Sequence, residues 1–116
     1  MLVIVLVGVG FLPSCSSELT FDQVRAKAEK GDAVHQNLLG KSLLTGVDCN
    51  KDPVEAVKWL RKAADQGHAG AQYELGSCYL LGEGVEQDNE EAIQWFRKAA
   101  KQGNAGAEHM LQSLEK

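Results

Sequence analysis

Apolar residues through the second half of the chain fall three and four positions apart, the spacing that gathers side chains on one face of a helix. Leu39 with Leu43, and Leu75 with Tyr79, mark one amphipathic element, called here the A helix. Ala56, Trp59, Leu60, Ala63 and Ala92, Trp95, Phe96, Ala99 trace a common stripe in a second element, the B helix. The whole pattern is duplicated. Residues 31–66 and 67–102 align without a gap and agree at 16 of 36 positions, where chance would give about two, and a period of this length marks a solenoid of stacked helices. Gly and Ala at the expected crossing points leave no bulky group between backbones, so A and B can approach closely.

The polar punctuation agrees with these boundaries. Asp52-Pro53-Val54-Glu55 reads as an N-cap, a proline at the first helical position and a reciprocal acid three residues on. Asp88-Asn89-Glu90-Glu91 repeats the cap and sets negative charge at a helix start, where the macrodipole favours it. Gly31, Gly67 and Gly103 follow B-type helices, at positions that favour a left-handed residue. Thr20 to Gln23 forms a capping box ahead of the stripe Phe21, Val24, Ala28, which predicts a lone B-type helix. Ala105, Ala107 and Leu111 stand in register with Ala69, Ala71 and Leu75, which predicts a third A helix over 105–115. The expected order is B, A, B, A, B, A, all α.

Ala69-Gly70-Ala71-Gln72-Tyr73-Glu74-Leu75-Gly76, Tyr79, Gly82-Glu83-Gly84-Val85, Asp88, Glu91-Ala92, Trp95-Phe96 and Lys98-Ala99-Ala100 together resemble the Sel-one-like repeat (SLR), a relative of the tetratricopeptide repeat. The resemblance covers nearly all of residues 31–112. It implies a right-handed α-α superhelix of about two and a half helix pairs, A helices toward the concave side, and a role as an adaptor for protein complexes. The first repeat departs from the pattern, with Leu43 for the usual Tyr and a loop reading Gly46-Val47-Asp48-Cys49. Asp tolerates positive φ better than most residues.

Residues 1–14 follow another logic. Met1 to Leu12 holds no charge and is too short for a bilayer crossing, which takes about 20 residues; it reads as the apolar region of a secretory signal. Leu12-Pro13-Ser14-Cys15 resembles a bacterial lipoprotein box, with Cys15 lipidated at the start of the mature chain. No Lys or Arg precedes the apolar run, and Pro is unusual two positions before the cysteine. The expected layout is a signal peptide (1–14), a short tether (15–19) and the solenoid: half repeat 20–30, repeats 31–66 and 67–102, partial repeat 103–116. A location in the bacterial envelope follows, in the periplasm or at the outer membrane, with membrane contact only through the N-terminal anchor.

All 12 basic and 16 acidic side chains lie beyond residue 14, and their net charge of −4 gives no general attraction to nucleic acid or anionic lipid. Cys49 and Cys78 are readable either as a disulfide across one end of the solenoid or as two separate thiols. Neither C-x-x-C nor H-E-x-x-H occurs, so no metal or other cofactor is expected. His35, His68 and His109 scatter over A-helix beginnings, His68 standing where its neighbours carry Asp32 and Asn104 and so suiting a helix start. Ser113-Leu114-Glu115-Lys116 matches the S-x-x-K of penicillin-recognising enzymes without the S-D-N or K-T-G motifs that accompany it, and no catalytic residues are assigned.

Partner contact is expected at A-helix positions that do not recur, toward the side that the resemblance makes concave: Asn37, Lys41, Tyr73 and Ser77. The expected function is non-enzymatic, a protein-interaction scaffold of the envelope whose small face would be enlarged by a partner or by self-association. Two other readings are a β-lactamase-like or peptidoglycan-directed envelope protein, and a truncated relic of a longer array. The anchor has a direct test. Two acyl chains hold a protein stably on a membrane where one is marginal, so Cys15→Ser should abolish labelling by a palmitate analogue in bacteria expressing the precursor behind a basic start. Equal labelling of both forms, or of neither, refutes the lipoprotein box.

Overall fold

A computed structural model describes residues 19–116, which form six α-helices: α1 Phe21–Glu29, α2 Ala33–Thr45, α3 Pro53–Asp65, α4 Ala69–Leu81, α5 Asn89–Lys101 and α6 Ala105–Leu114. The signal segment and Cys15 lie outside the described residues. Each helix packs chiefly on its chain neighbours, and α2 also touches α4, the next A helix along. The described chain is therefore a helical-repeat solenoid in the expected order, with α1, α3 and α5 as B helices and α2, α4 and α6 as A helices.

Local chemistry sets each boundary. Thr20 and Gln23 complete the capping box of α1 in both directions. Asp32, His68 and Asn104, one period apart, each accept the backbone N–H three residues on and so cap the three A helices. Asp88 caps α5 through two backbone N–H groups. At α3 the reading is corrected. Asp52 does cap through the Glu55 N–H, but its own N–H donates to the Leu43 carbonyl, and the Glu55 carboxylate turns away to accept from Trp59 Nε1 at 3.0 Å and to pair with Arg25 at 3.0 Å. Both bonds hold that carboxyl below its usual range, the indole first.

Within a repeat, A and B close on a glycine. A Cβ on Gly40 would stand 2.6 Å from Leu60 Cγ and 3.2 Å from the Ala56 carbonyl; on Gly76 it would stand 2.8 Å from Phe96 Cε1 and 3.2 Å from the Ala92 carbonyl. Between repeats the seam is filled by tryptophan. Trp95 packs with Val57, Leu60, Ala63 and Ala64 of the preceding B helix, and Trp59 with Ala28, Leu39 and Leu43. Trp59 and Trp95 are both core residues, 9% and 6% exposed.

Buried glutamines lock the same seams. Gln36 and Gln72 donate to the carbonyls of Ala28 and Ala64 in the preceding B helix and accept from Gln66 and Gln102 of their own repeat. The loop substitution is also explained. Gly84 takes φ +72° while the Pro53 carbonyl fills the space a side chain would need, whereas Asp48, at the equivalent position with φ 62°, borders an open cleft with Thr20, Phe21 and Asp22.

The glycine crossing yields a stability prediction. Ala is favoured over Gly in a helix by about 1 kcal/mol, yet the added methyl at position 76 must displace either the Phe96 ring or the α5 backbone, and overpacking of this kind costs about 1–3 kcal/mol. Gly76→Ala should lower the midpoint of urea unfolding despite its better propensity. A rise in that midpoint would show that the crossing has slack.

Candidate partner-binding face

The A helices line one side of the solenoid, and their side chains meet in a fixed register. The Asn37 amide lies against Gly70, which leaves 3.4 Å between Asn37 Nδ2 and a Cβ built there; the Tyr73 ring lies 3.1 Å from the equivalent point on Gly106. The same offset of 33 residues sets Lys41 of α2 toward Glu74 of α4. Glycine at 70 and 106 thus lets the preceding helix lay a side chain across it, so the face is continuous from α2 to α6.

The four expected contact residues differ in what they offer. Asn37 is half-buried, and its Oδ1 is shielded from solvent without a hydrogen-bond partner, an arrangement that costs about 1–3 kcal/mol and that a donor would relieve. Lys41 is exposed. Tyr73 is half-buried, its ring 5.7 Å from that of Phe96 and part of the α5–α6 core, so packing occupies much of its surface. Ser77 spends its proton on the Tyr73 carbonyl at 3.1 Å and has only acceptor capacity left. Val34 shares the concave register expected from the sequence, and the structure adds Leu38 to it; the two are 53% and 42% exposed, one turn apart on α2 beside Asn37 and Lys41. The structure also adds Glu74, whose carboxyl is pushed above its usual range by burial, against the pull of Lys41. The non-recurring triplet Leu38, Glu74 and Met110 was a signal for these positions.

The remaining candidates bring no reactive or metal-binding group to this face. Cys78 is buried in α4, and burial, with Glu83 and Glu74 adding to it, pushes the thiol up to about 12, so it stays protonated and unreactive. Cys49 lies in the α2–α3 loop, its thiol 3.5 Å from the Ser42 carbonyl; the two cysteines are unbonded. Of the S-x-x-K run, Ser113 is exposed on the last turn of α6 and Glu115 pairs with Arg97. Among the described residues no cluster of His, Cys, Asp or Glu could hold a metal ion, and no helix is long and apolar enough to cross a membrane.

The Sel1 repeat family model matches residues 36–68 and 69–104, more than half of the chain. The chain belongs to the Sel1 repeat family. Among solved structures it is similar to a Sel1 repeat protein from Oxalobacter formigenes, at 38% identity and TM-score 0.78 over 80% of this chain and 27% of that one. It is also similar to c5321, a protective antigen of uropathogenic Escherichia coli with an SLR fold, at 41% identity and TM-score 0.74 over 78% and 19%. The Helicobacter pylori cysteine-rich protein B shares the fold, at 24% identity and TM-score 0.73 over 78% and 68%. No curated protein matches. The chain thus spans under a third of the first two Sel1 structures. Sel1 repeat proteins are in general protein-interaction scaffolds.

Glu74 gives this face a measurable pH signature. Because its folded-state carboxyl binds a proton more readily than in the unfolded chain, the folded state is favoured below the ordinary carboxylate range and loses that contribution as pH rises through the folded value. Glu74→Gln should therefore raise the melting temperature at neutral pH and lose the advantage in acid. An equal effect at both pH values would remove desolvation of the carboxylate as the cause.

Proposed function

We propose that this Sel1 repeat chain is a non-enzymatic scaffold of the bacterial cell envelope that holds a protein partner on its A-helix face. The observation that carries the reading is the composition of that face on α2: two exposed aliphatic side chains, Val34 and Leu38, beside the exposed Lys41 and the unpartnered Asn37 carbonyl oxygen. Exposed apolar surface rimmed by polar groups is the usual composition of a contact patch. The helices beneath it are fixed by the glycine crossings and the glutamine locks, so little ordering cost remains to be met on binding. Envelope placement rests on the apolar leader and the Cys15 box; the concave geometry rests on the family resemblance.

Recognition here would be by a preformed surface rather than by chemistry. Lys41 supplies charge at the edge, the Asn37 side chain a polar rim, and Val34 with Leu38 the dehydrated centre; Tyr73 and Ser77 extend the patch onto α4. The test is comparative. Lys41→Ala should shift stability by under about 0.5 kcal/mol, as surface changes usually do, and Asn37→Ala and Ser77→Ala should leave the chain fully helical, Asn37→Ala removing the unpartnered buried oxygen; together the three should weaken crosslinked capture from native membranes, because few residues carry most binding energy. Lys58→Ala with Lys101→Ala, on the B-helix side, is the control. If the control weakens capture and the triple variant does not, the face is misassigned.

A further inference from the structure

We infer that the outer face of α6 closes the helical array, so that further helices, including those of a second copy, do not stack on it as B stacks on A within the repeats. The inference comes from comparing three positions across the three A helices. At the first, Gln36 and Gln72 are 3% and 5% exposed and bond in two directions; α6 has Glu108, which is exposed. At the second, Gly40 and Gly76 form the close crossing; α6 has Gln112, also exposed. At the third, Leu43 is buried and Tyr79 half-buried; α6 has Glu115, which is exposed and held by Arg97 as Tyr79 is held by Arg61.

Glu108 and Gln112 are spaced i, i+4 on one face of α6, and Glu115, the C-cap of that helix, continues the same line. A B helix seated there would press its backbone against the Gln112 side chain, where even the bare Cβ of a Gly76 substitution meets the Ala92 carbonyl at 3.2 Å. It would also strip water from two carboxylates, which is costly unless each gains a well-placed partner. An in-register second copy would set its Lys30, equivalent to Gln66, opposite Glu108. Burying that one pair dehydrates both ions while the clash at Gln112 stays. At the other end Thr20 and Lys27 stand where Ala56 and Ala63 of α3 are fully buried, so α1 is no better shaped to join. A polar outer face of this kind is what keeps a repeat array finite. What closes the array is the composition of that face, and it confines partner contact to the sides of the solenoid.

The test is sedimentation velocity of the full 116-residue chain in mild detergent, with zero-length amine-to-carboxyl crosslinking read by mass spectrometry. Wild type should give no intermolecular Lys30–Glu108 crosslink. Glu108→Gln, Gln112→Gly and Glu115→Tyr combined restore the interior pattern and should tighten self-association by at least about tenfold, or about 1.4 kcal/mol. A Lys30–Glu108 crosslink between wild-type copies overturns the inference, and so does a combined variant that associates no more than wild type. Should that variant lose helical content, Glu108→Gln with Gln112→Gly, which leaves Glu115 and its Arg97 pair in place, is read in the same assay against the same two outcomes.

Discussion

The close crossing of A and B at Gly40 and Gly76 is the constraint on which the rest of the structure depends. With no side chain at these points, Leu60 and Phe96 reach the α2 and α4 backbones directly, and the two helices of a repeat behave as one rigid unit. That rigidity fixes where the residue just before Leu60 or Phe96 on each B helix must point. Leu60 and Phe96 face their own A helix, so Trp59 and Trp95 face the preceding repeat and fill the seam there. Intra-repeat packing and inter-repeat packing are thus assigned to adjacent residues of one stripe, and the stacking offset follows without further specification.

The charged residues beside the tryptophans complete the seam. The recurring Arg-Lys pair looks like a solvated helix end in sequence, yet its two members have separate partners. Lys62 lies 4.7 Å above the Trp59 ring and Lys98 lies 4.4 Å above that of Trp95, covering the solvent side of each indole with a cation. Arg61 and Arg97 instead reach forward 18 residues, to Tyr79 and Glu115. Arg25 is in the same register but finds Leu43 at that distance, and pairs with Glu55 of α3. The capping box expected at Asp52 is half made because the Asp52 N–H is taken by the Leu43 carbonyl, as that of Asp88 is by the Tyr79 carbonyl, which leaves the Glu55 carboxylate to Trp59 and Arg25.

How much of this was legible follows from what repeats. Helix order, caps, the core tryptophans and the Asp48 substitution were readable because local propensity and a 36-residue period both point to them. The roles of Lys62 and Lys98 were also encoded, since each stands three residues after a tryptophan in both copies. The functional face was less legible for a physical reason: its residues meet across helices at an offset of 33, which a period of 36 does not reveal. Asn37 meets Gly70 and Lys41 faces Glu74 because successive A helices slide relative to one another as they stack. Ser77 stood out in sequence by failing to recur, but its hydroxyl is turned onto its own backbone, a choice among hydrogen bonds that sequence does not fix.

The same offset bears on how selectivity could arise on so small a face. Each A helix contributes one position that lies over the next helix, occupied by Asn37 and then by Tyr73, and one that receives it, Gly70 and then Gly106. Because the receiving residue is glycine, the overlying side chain is pressed down and its polar atoms lose water, as the Asn37 oxygen has. Exchanging the overlying residue changes the chemistry of the face without touching the crossings or the tryptophan seams, since neither pair enters them. Stability and recognition therefore reside in different residues of the same helices: the glycine crossings and glutamine locks are held constant between the two full repeats, while the residues facing outward from α2 and α4 are the ones that differ.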